Sequence, residues 1–173
     1  MFRTTTKFTD ISSIIALYNS LVRNVIEYCS PIWNPHHIKY ETQIERVQKK
    51  FTRFIQYQAQ NTYESYNQRL DRYDMMTLKS RRIMTNELTL YKILNGKILT
   101  KMKETITMIT ENRSRRHRIT FRPNVVNNDV QFFSPIRRMQ MNHDIYFDKT
   151  DIRDKSYENF KKQIKSIIQQ SIT

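Results

Sequence analysis

Two consecutive stretches decide how this chain folds: LVRNVIEYCSPIWNP at residues 21–35 and HHIKYETQIERVQKKFTRFI at residues 36–55. The first stretch ends a helix that is apolar on one face, because Pro31 disfavours helical geometry at Ser30. Trp33, the single tryptophan, stands in the turn, where we expect it to fill the junction between the helices on either side. The second stretch begins an amphipathic, basic helix, and the remaining helices are expected to pack on this pair.

Apolar periodicity along the rest of the chain predicts further helices. The predicted helices are Asp10–Cys29, Ile38–Tyr57, a short one near Tyr63–Leu70, Thr77–Leu94, one that begins at Pro135, and Ser156–Ile172. A short strand is predicted at Val130–Phe133. The fold class is therefore mostly α: a small bundle of about four to six helices with a basic loop or arm and room for one short strand pair.

We expect three regions along the chain. Residues 1–96 should form a helical core, residues 97–130 a basic and partly irregular arm, and residues 131–173 a C-terminal helical segment. Cys29 is expected to be a buried structural thiol, because it lies on the apolar face of the first helix. The expected core residues are Ile14, Leu21, Val25, Trp33, Val47, Phe51, Leu88 and Tyr91.

The charge balance points to an anionic partner. The 173 residues carry a net charge of +14, and a surplus of this size favours binding to a polyanion such as nucleic acid. A basic but inert surface is the alternative. The single glycine excludes a glycine-rich phosphate loop. Residues 11–26 are too polar to span a membrane, and neither a membrane nor a small-molecule substrate is expected as a partner.

The clearest basic pattern is a stripe on the second long helix. Its members follow the spacing i, i+3, i+4, i+7, which places them on one helical face opposite the apolar one: Arg46, Lys49, Lys50 and Arg53. This face either tracks phosphates or is an ordinary solvated surface. Tyrosines in residues 56–73 either stack on bases or fill a shallow core. Further candidate nucleic-acid contacts are Arg81 and Arg82, and the arm residues Arg113, Arg115, Arg116 and Arg118.

No catalytic or metal site is expected. One cysteine cannot form an intrachain disulfide or a thiolate cluster for zinc, so we expect a reducing compartment and an intracellular chain, nuclear or cytoplasmic rather than secreted. Asp148, Asp151 and Asp154 alternate with basic residues, which favours a solvated linker over a metal site. The chain alone is therefore not expected to be an enzyme, and it is expected to use no cofactor.

Three blocks of sequence resemble the segment that follows the polymerase core in non-LTR retrotransposon reverse transcriptases of the jockey-like, LINE type. The first block comprises Glu27, Tyr28, Ser30, Pro31, Trp33 and Pro35. The second comprises Ile44, Glu45, Val47, Gln48 and Arg53. The third comprises Arg69, Leu70, Leu78, Arg81, Arg82, Tyr91, Lys92, Ile93, Asn95 and Gly96. Farther on, Phe133, Arg137 and the helix with Tyr157 and Phe160 fit the family more loosely, and residues 141–144 lack its tryptophan and proline.

The resemblance implies a role without catalysis in this chain. In the family, the catalytic Y-x-D-D lies upstream of the matching segment, and this sequence contains no Asp-Asp. The chain would be a thumb-like, post-polymerase part of an RNA-directed DNA polymerase that holds RNA or an RNA/DNA hybrid, with the polymerase core as a further partner. The alternatives are a freestanding basic nucleic-acid-binding module and a decayed element fragment without selected function.

Overall fold

The computed structural model describes residues 10–59, 62–98, 100–106, 108–111, 118–121, 128–146, 150, 152–153 and 156–172. The chain divides into two compact units. The first contains Met1–Ser30 and Pro35–Arg81, and the second contains Pro31–Asn34 and Arg82–Thr173. The division falls between Arg81 and Arg82, inside a helix, whereas the sequence predicted a boundary after Gly96.

Helices dominate the described residues. The α-helices are α1 (Ile11–Leu17), α2 (Asn24–Glu27), α3 (Ser30–Trp33), α4 (Ile38–Gln58), α5 (Tyr66–Arg72), α6 (Leu78–Leu94), α7 (Asp129–Phe132), α8 (Pro135–Tyr146) and α9 (Tyr157–Ile172). A π-helical segment, Tyr18–Arg23, joins α1 to α2, and Lys101–Thr105 form a 3₁₀ helix. The strands β1 (Met108–Glu111) and β2 (Arg118–Phe121) pair antiparallel. The prediction of a mostly helical fold is confirmed.

Helix α1 begins at a side-chain cap. The Asp10 carboxylate accepts hydrogen bonds from the backbone N–H groups of Ser12 and Ser13, at 3.3 and 3.1 Å, which satisfies donors that a helix N-terminus leaves without partners. The Ser13 hydroxyl also donates to this carboxylate, at 2.9 Å. This bond, and after it the two backbone hydrogen bonds, lower the pKa of Asp10.

The core of the first unit lies where α1 and the π-helical segment face α4 and α5. Tyr18 and Phe51 are buried and their rings stack, with centroids 3.8 Å apart. Ile55, Leu70 and Met75 complete the buried cluster. Burial raises the pKa of Tyr18 to about 12, because the phenolate would lose its hydration. The prediction that Phe51 belongs to the core is confirmed by its burial.

Other predicted core residues of the first unit are exposed. Leu21 is 65% exposed and Val25 is 74% exposed, although both lie in the apolar arc of the first helix. Ile14 and Val22 contact the core, and the π-helical segment interrupts the 100° periodicity from which the arc was derived. Val47 is 38% exposed, and Cys29, predicted to be buried, is exposed.

Polar side chains form part of the buried face of α4. Gln48 is fully buried, and its amide nitrogen donates to the Met76 carbonyl at 2.9 Å and to the Tyr66 hydroxyl at 3.2 Å. Arg69, 3% exposed, donates to the Thr52 hydroxyl at 3.3 Å. These hydrogen bonds compensate the desolvation of groups that would otherwise be costly to bury.

In the second unit, aromatic residues connect α6 to α9. Tyr91 and Phe160 are both fully buried and stack with ring centroids 4.5 Å apart. The Asn95 amide donates to the Ile152 carbonyl at 2.9 Å. Tyr91 is thus a core residue, as predicted, and Leu88 is half-buried.

Helix α6 has the predicted ends. The Ser80 N–H donates to the Thr77 hydroxyl at 3.0 Å. At the other end, Gly96 has φ +68°, and the Lys97 and Gly96 N–H groups donate to the carbonyls of Lys92 and Ile93. This pair of bonds is a Schellman motif, whose left-handed residue favours glycine.

The strand pair lies elsewhere than the sequence predicted. Asp129–Phe132 form a turn of helix, capped by the Asn128 side chain, whereas Val130–Phe133 were predicted to be a strand. Four alternating or apolar residues do not distinguish a short strand from a helical turn. Strands β1 and β2 instead flank residues 112–117, with Glu111 paired to Arg118. Helix α8 begins at Pro135, as predicted.

Two arginines hold the segment around Trp33 in the second unit. Arg138 donates to the carbonyls of Pro31 and Asn34, the latter at 3.2 Å, and the Arg82 Nε donates to the Asn34 Oδ1 at 2.8 Å. Trp33 itself is 39% exposed, so it is not the buried plug that the sequence predicted. Carbonyl contacts from arginine, rather than burial of the indole, fix this segment.

Candidate nucleic-acid interface

Helix α4 presents one face to solvent and one to the core. Arg46, Lys49, Lys50 and Arg53 are all exposed, and we call them the basic stripe. At about 100° per residue, they lie on the side of α4 opposite the buried residues Gln48, Phe51 and Ile55. The structure thus brings together the four stripe residues that the sequence predicted.

Glu45 fixes how α4 is held against the start of α6. Its carboxylate accepts hydrogen bonds from the Leu78 and Lys79 N–H groups, at 3.1 and 3.3 Å, and from the Tyr66 hydroxyl. A carboxylate in this position satisfies orphan donors and complements the positive end of the helix dipole. Burial, together with the Glu45 hydrogen bond, raises the pKa of Tyr66.

The acidic side chains of α4 are used away from the basic stripe. Glu45 caps α6, and Glu41 forms an ion pair with the Lys79 Nζ at 3.1 Å. Among the described residues, no carboxylate lies within ion-pair distance of the four stripe residues. The Lys49 Nζ lies 5.1 Å from the centre of the Tyr66 ring, a cation–π contact that keeps the full positive charge. The stripe is therefore an exposed, uncompensated array of positive charge.

Lys39 is a further basic residue on this face that was not among the predicted site residues. Lys39 is exposed and precedes Arg46 by seven residues, which places it within about 20° of Arg46 on the helix. The signal was present in the heptad spacing, but Lys39 stands in the first turn of α4, apart from the dense run that begins at Arg46.

Arg81 and Arg82 do not belong to an exposed basic surface. Arg81 forms a two-point ion pair with Glu27 within the first unit, with the Nη2 2.8 Å from the Oε2, and this hydrogen bonding raises the pKa of Arg81. Arg82 is 1% exposed and donates to Asn34. Arg82 is thus too buried for the predicted contact with nucleic acid. Arg81 is engaged in its ion pair within the protein, and its contact with nucleic acid stays a prediction.

Most of the arginines predicted to form the basic arm lie outside the described residues. They are Arg113, Arg115 and Arg116. Arg118 lies in β2, paired in register with Glu111. Their proposed contacts with nucleic acid stay predictions.

The residues of the first and third sequence blocks mostly make contacts within the protein. Glu27 holds Arg81, and Ser30 is fully buried. Tyr28 is 76% exposed, and Pro35 is half-buried in the turn before α4. In the second unit, Pro31 accepts a hydrogen bond from Arg138, and Tyr91, Asn95 and Gly96 build the end of α6 as described above. Apart from Tyr28, these motif residues are part of the framework.

Within the described ranges, no three His, Cys, Asp or Glu side chains come together in a group that could hold a metal ion. The described helices also include none with both the length and the apolar character needed to cross a membrane. The fold and the site therefore define a mostly helical chain that has an exposed basic face on one long helix. Comparisons with protein family models, curated proteins and solved structures found no match.

Proposed function

We propose that this chain binds the phosphate backbone of RNA or of an RNA/DNA hybrid through the basic stripe of α4. The observation that carries this proposal is the array of four exposed cations that no described acid neutralises, on a helix whose opposite face is buried. A polyanion that approaches this face gains favourable charge contacts and releases its condensed counterions.

The contacts that the stripe offers are with phosphates rather than with base edges. Lysine and arginine side chains along a single helical face can follow a backbone, and phosphate contacts carry no direct sequence information. We therefore expect binding that tolerates any sequence and weakens steeply with salt.

We further propose that the chain is a non-catalytic C-terminal portion of a retrotransposon reverse transcriptase. The three sequence blocks support this proposal. Their residues also have coherent structural roles: Glu27 with Arg81, Glu45 at the start of α6, and Asn95 with Gly96 at its end. In this proposal, the basic stripe serves the polymerase by holding the nucleic acid, and the chain performs no chemistry of its own.

Replacing the four stripe residues by alanine is expected to remove most of the salt dependence of binding. Each phosphate contact contributes about 0.7–0.9 to the slope of log K against log salt, so the variant should lose about three units of slope. The measurement is a salt titration of binding to a short RNA/DNA hybrid, followed by fluorescence anisotropy.

A control variant with the same net charge separates the stripe from general basicity. Alanine at Lys101, Lys103, Lys161 and Lys165, all of them exposed, removes the same number of charges from other surfaces. This control should keep the wild-type slope. Equal slopes for the wild type, the stripe variant and the control would contradict the proposal, as would the absence of any binding.

An exposed apolar surface on the first helix favours a second hypothesis about the function of the chain. Leu17, Leu21 and Val25, spaced four residues apart, are 37%, 65% and 74% exposed. Contiguous exposed apolar surface marks a face shaped for contact. In this reading, the chain is a retroelement remnant without selected function, whose apolar face once covered the polymerase. The buried core of the first unit favours instead a freestanding binding module, and the stripe titration decides between them.

A further inference from the structure

The basic stripe ends at an exposed aromatic side chain. Tyr57 follows Arg53 by four residues, so it projects within about 40° of Arg53 on the same face of α4. Its side chain is 82% exposed. The four cations are thus followed on the same side of the helix by a flat, apolar ring that faces solvent.

A second tyrosine is exposed just beyond α4. Tyr63 is 90% exposed, although the backbone on both sides of it is anchored. The Gln56 amide donates to the Thr62 carbonyl at 2.5 Å, and the Arg69 Nη1 donates to the Glu64 carbonyl at 2.6 Å. Both donors belong to buried residues. Tyr63 is therefore presented to solvent by a segment that buried hydrogen bonds hold in place.

The exposure of these two rings contrasts with the burial of the two core tyrosines. Tyr18 and Tyr91 are at most 1% exposed and form stacked aromatic pairs in the two cores. A tyrosine ring brings a large apolar area that is usually buried on folding. Tyr57 leaves that area open at the end of the cationic face, and Tyr63 leaves it open in the segment that follows α4, so both rings can contribute it to a ligand.

The ligand that fits this combination carries regularly spaced negative charges and accessible flat faces. A base-paired duplex offers the charges but keeps its base faces stacked inside. A single strand offers both, and aromatic side chains bind unstacked bases without sequence preference. An acidic protein segment would satisfy the cations but would give the rings no flat partners.

We propose that the surface formed by the basic stripe, Tyr57 and Tyr63 binds single-stranded nucleic acid, with the cations on the phosphates and the two rings stacked on unpaired bases. This inference rests on the proposed backbone binding and specifies its substrate as the unpaired strand. The 2′-hydroxyl has no assigned contact, so single-stranded RNA and DNA are expected to bind alike.

The test compares three probes of equal phosphate number: oligo-dT, an abasic strand of the same length, and a blunt duplex. Wild type is expected to bind oligo-dT at least roughly 30-fold more tightly than the abasic strand, because two stacked bases contribute about 1–3 kcal/mol each. The double variant Y57A/Y63A should bind oligo-dT and the abasic strand equally, with the salt slope unchanged. An oligo-rU probe should reproduce the oligo-dT result.

Two controls isolate stacking from other effects. Y57F/Y63F keeps both rings and should retain wild-type affinity. Y40A removes a tyrosine that is 50% exposed on α4 but lies about 100° from Tyr57 around the helix, so it should change nothing. Because all three positions are at least half exposed, these variants should keep the wild-type circular dichroism and unfolding midpoint.

The outcomes separate the two proposals. If wild type binds with a steep salt slope but does not distinguish oligo-dT from the abasic strand or the duplex, stacking is wrong and backbone binding stands. A loss of affinity in Y57F/Y63F equal to that in Y57A/Y63A would also overturn stacking. If no probe shows salt-dependent binding, the proposed function fails, and the inference fails with it.

Discussion

Replacing Phe51 by alanine is expected to destabilise the first unit strongly and to weaken nucleic-acid binding, although Phe51 is not part of the basic stripe. Phe51 is 2% exposed, and its ring stacks on that of Tyr18. Removing a buried phenylalanine side chain costs about 3–5 kcal/mol, and a small domain has about 5–15 kcal/mol of total stability. Molecules in which α4 has unfolded would no longer hold the four cations on one face.

Val47 provides the matched control for Phe51. It lies four residues earlier on α4, was predicted from the sequence to be a core residue, and is 38% exposed. V47A should therefore cost below about 1 kcal/mol and leave binding intact. Urea unfolding followed by far-UV circular dichroism measures both variants. An unchanged midpoint for F51A, or equal shifts for F51A and V47A, would contradict the packing described here.

The second large effect is expected at a buried acid–histidine pair in the second unit. The Nδ1 of His143 lies 2.6 Å from the Oε1 of Glu87, both side chains are fully buried, and the Phe121 ring meets the imidazole edge to face. H143A would leave the Glu87 carboxyl buried without this partner. Leaving a buried polar group without its hydrogen-bond partner costs about 1–3 kcal/mol, and removing the buried imidazole adds the cost of a cavity, so we expect a loss of at least this size.

The same pair makes stability depend on pH in a definite direction. Burial raises the pKa of Glu87, outweighing the hydrogen bond with His143, which lowers it. The native state therefore holds a proton that the unfolded state releases above about pH 4.5. Because the native state binds more protons in this window, the free energy of unfolding falls as pH rises from there through the raised pKa of Glu87.

A pH series of urea unfolding curves for wild type, E87Q and H143A tests this linkage. E87Q keeps a hydrogen-bonding side chain but cannot titrate, so the fall in stability should be absent from it. H143A should extend the fall to higher pH, because the interaction that lowers the pKa of Glu87 is gone. Parallel stability profiles for wild type and E87Q would show that Glu87 does not titrate as described.

Periodicity alone predicted the long helices and the basic stripe. The bounds of α4 and α6, the start of α8 at Pro135, and the left-handed end at Gly96 follow from local rules of spacing and capping. The stripe could be predicted for the same reason, because the face of a helix on which a residue lies depends on sequence spacing alone.

What the sequence did not predict depends on partners distant in the chain. An apolar arc as wide as that of the first helix does not reveal which side will be covered, so Leu21 and Val25 were placed in the core wrongly. Arg82 belongs to the same class, because burying an arginine requires a partner such as Asn34, which lies 48 residues away. The Glu87–His143 pair likewise joins residues that are 56 positions apart, and no local sequence pattern predicts it.

The exposed thiol of Cys29 limits how this chain can be joined covalently to a copy of itself. With one cysteine in the sequence, oxidation can give only one disulfide-linked dimer, in which Cys29 of one chain meets Cys29 of the other. Such a dimer would carry two basic stripes on one molecule. Linked sites bind a long polyanion with an avidity that exceeds the affinity of either site. A two-electron oxidant added to the purified chain would thus convert molecules with one stripe into molecules with two, whereas the expected reducing compartment keeps the thiols free.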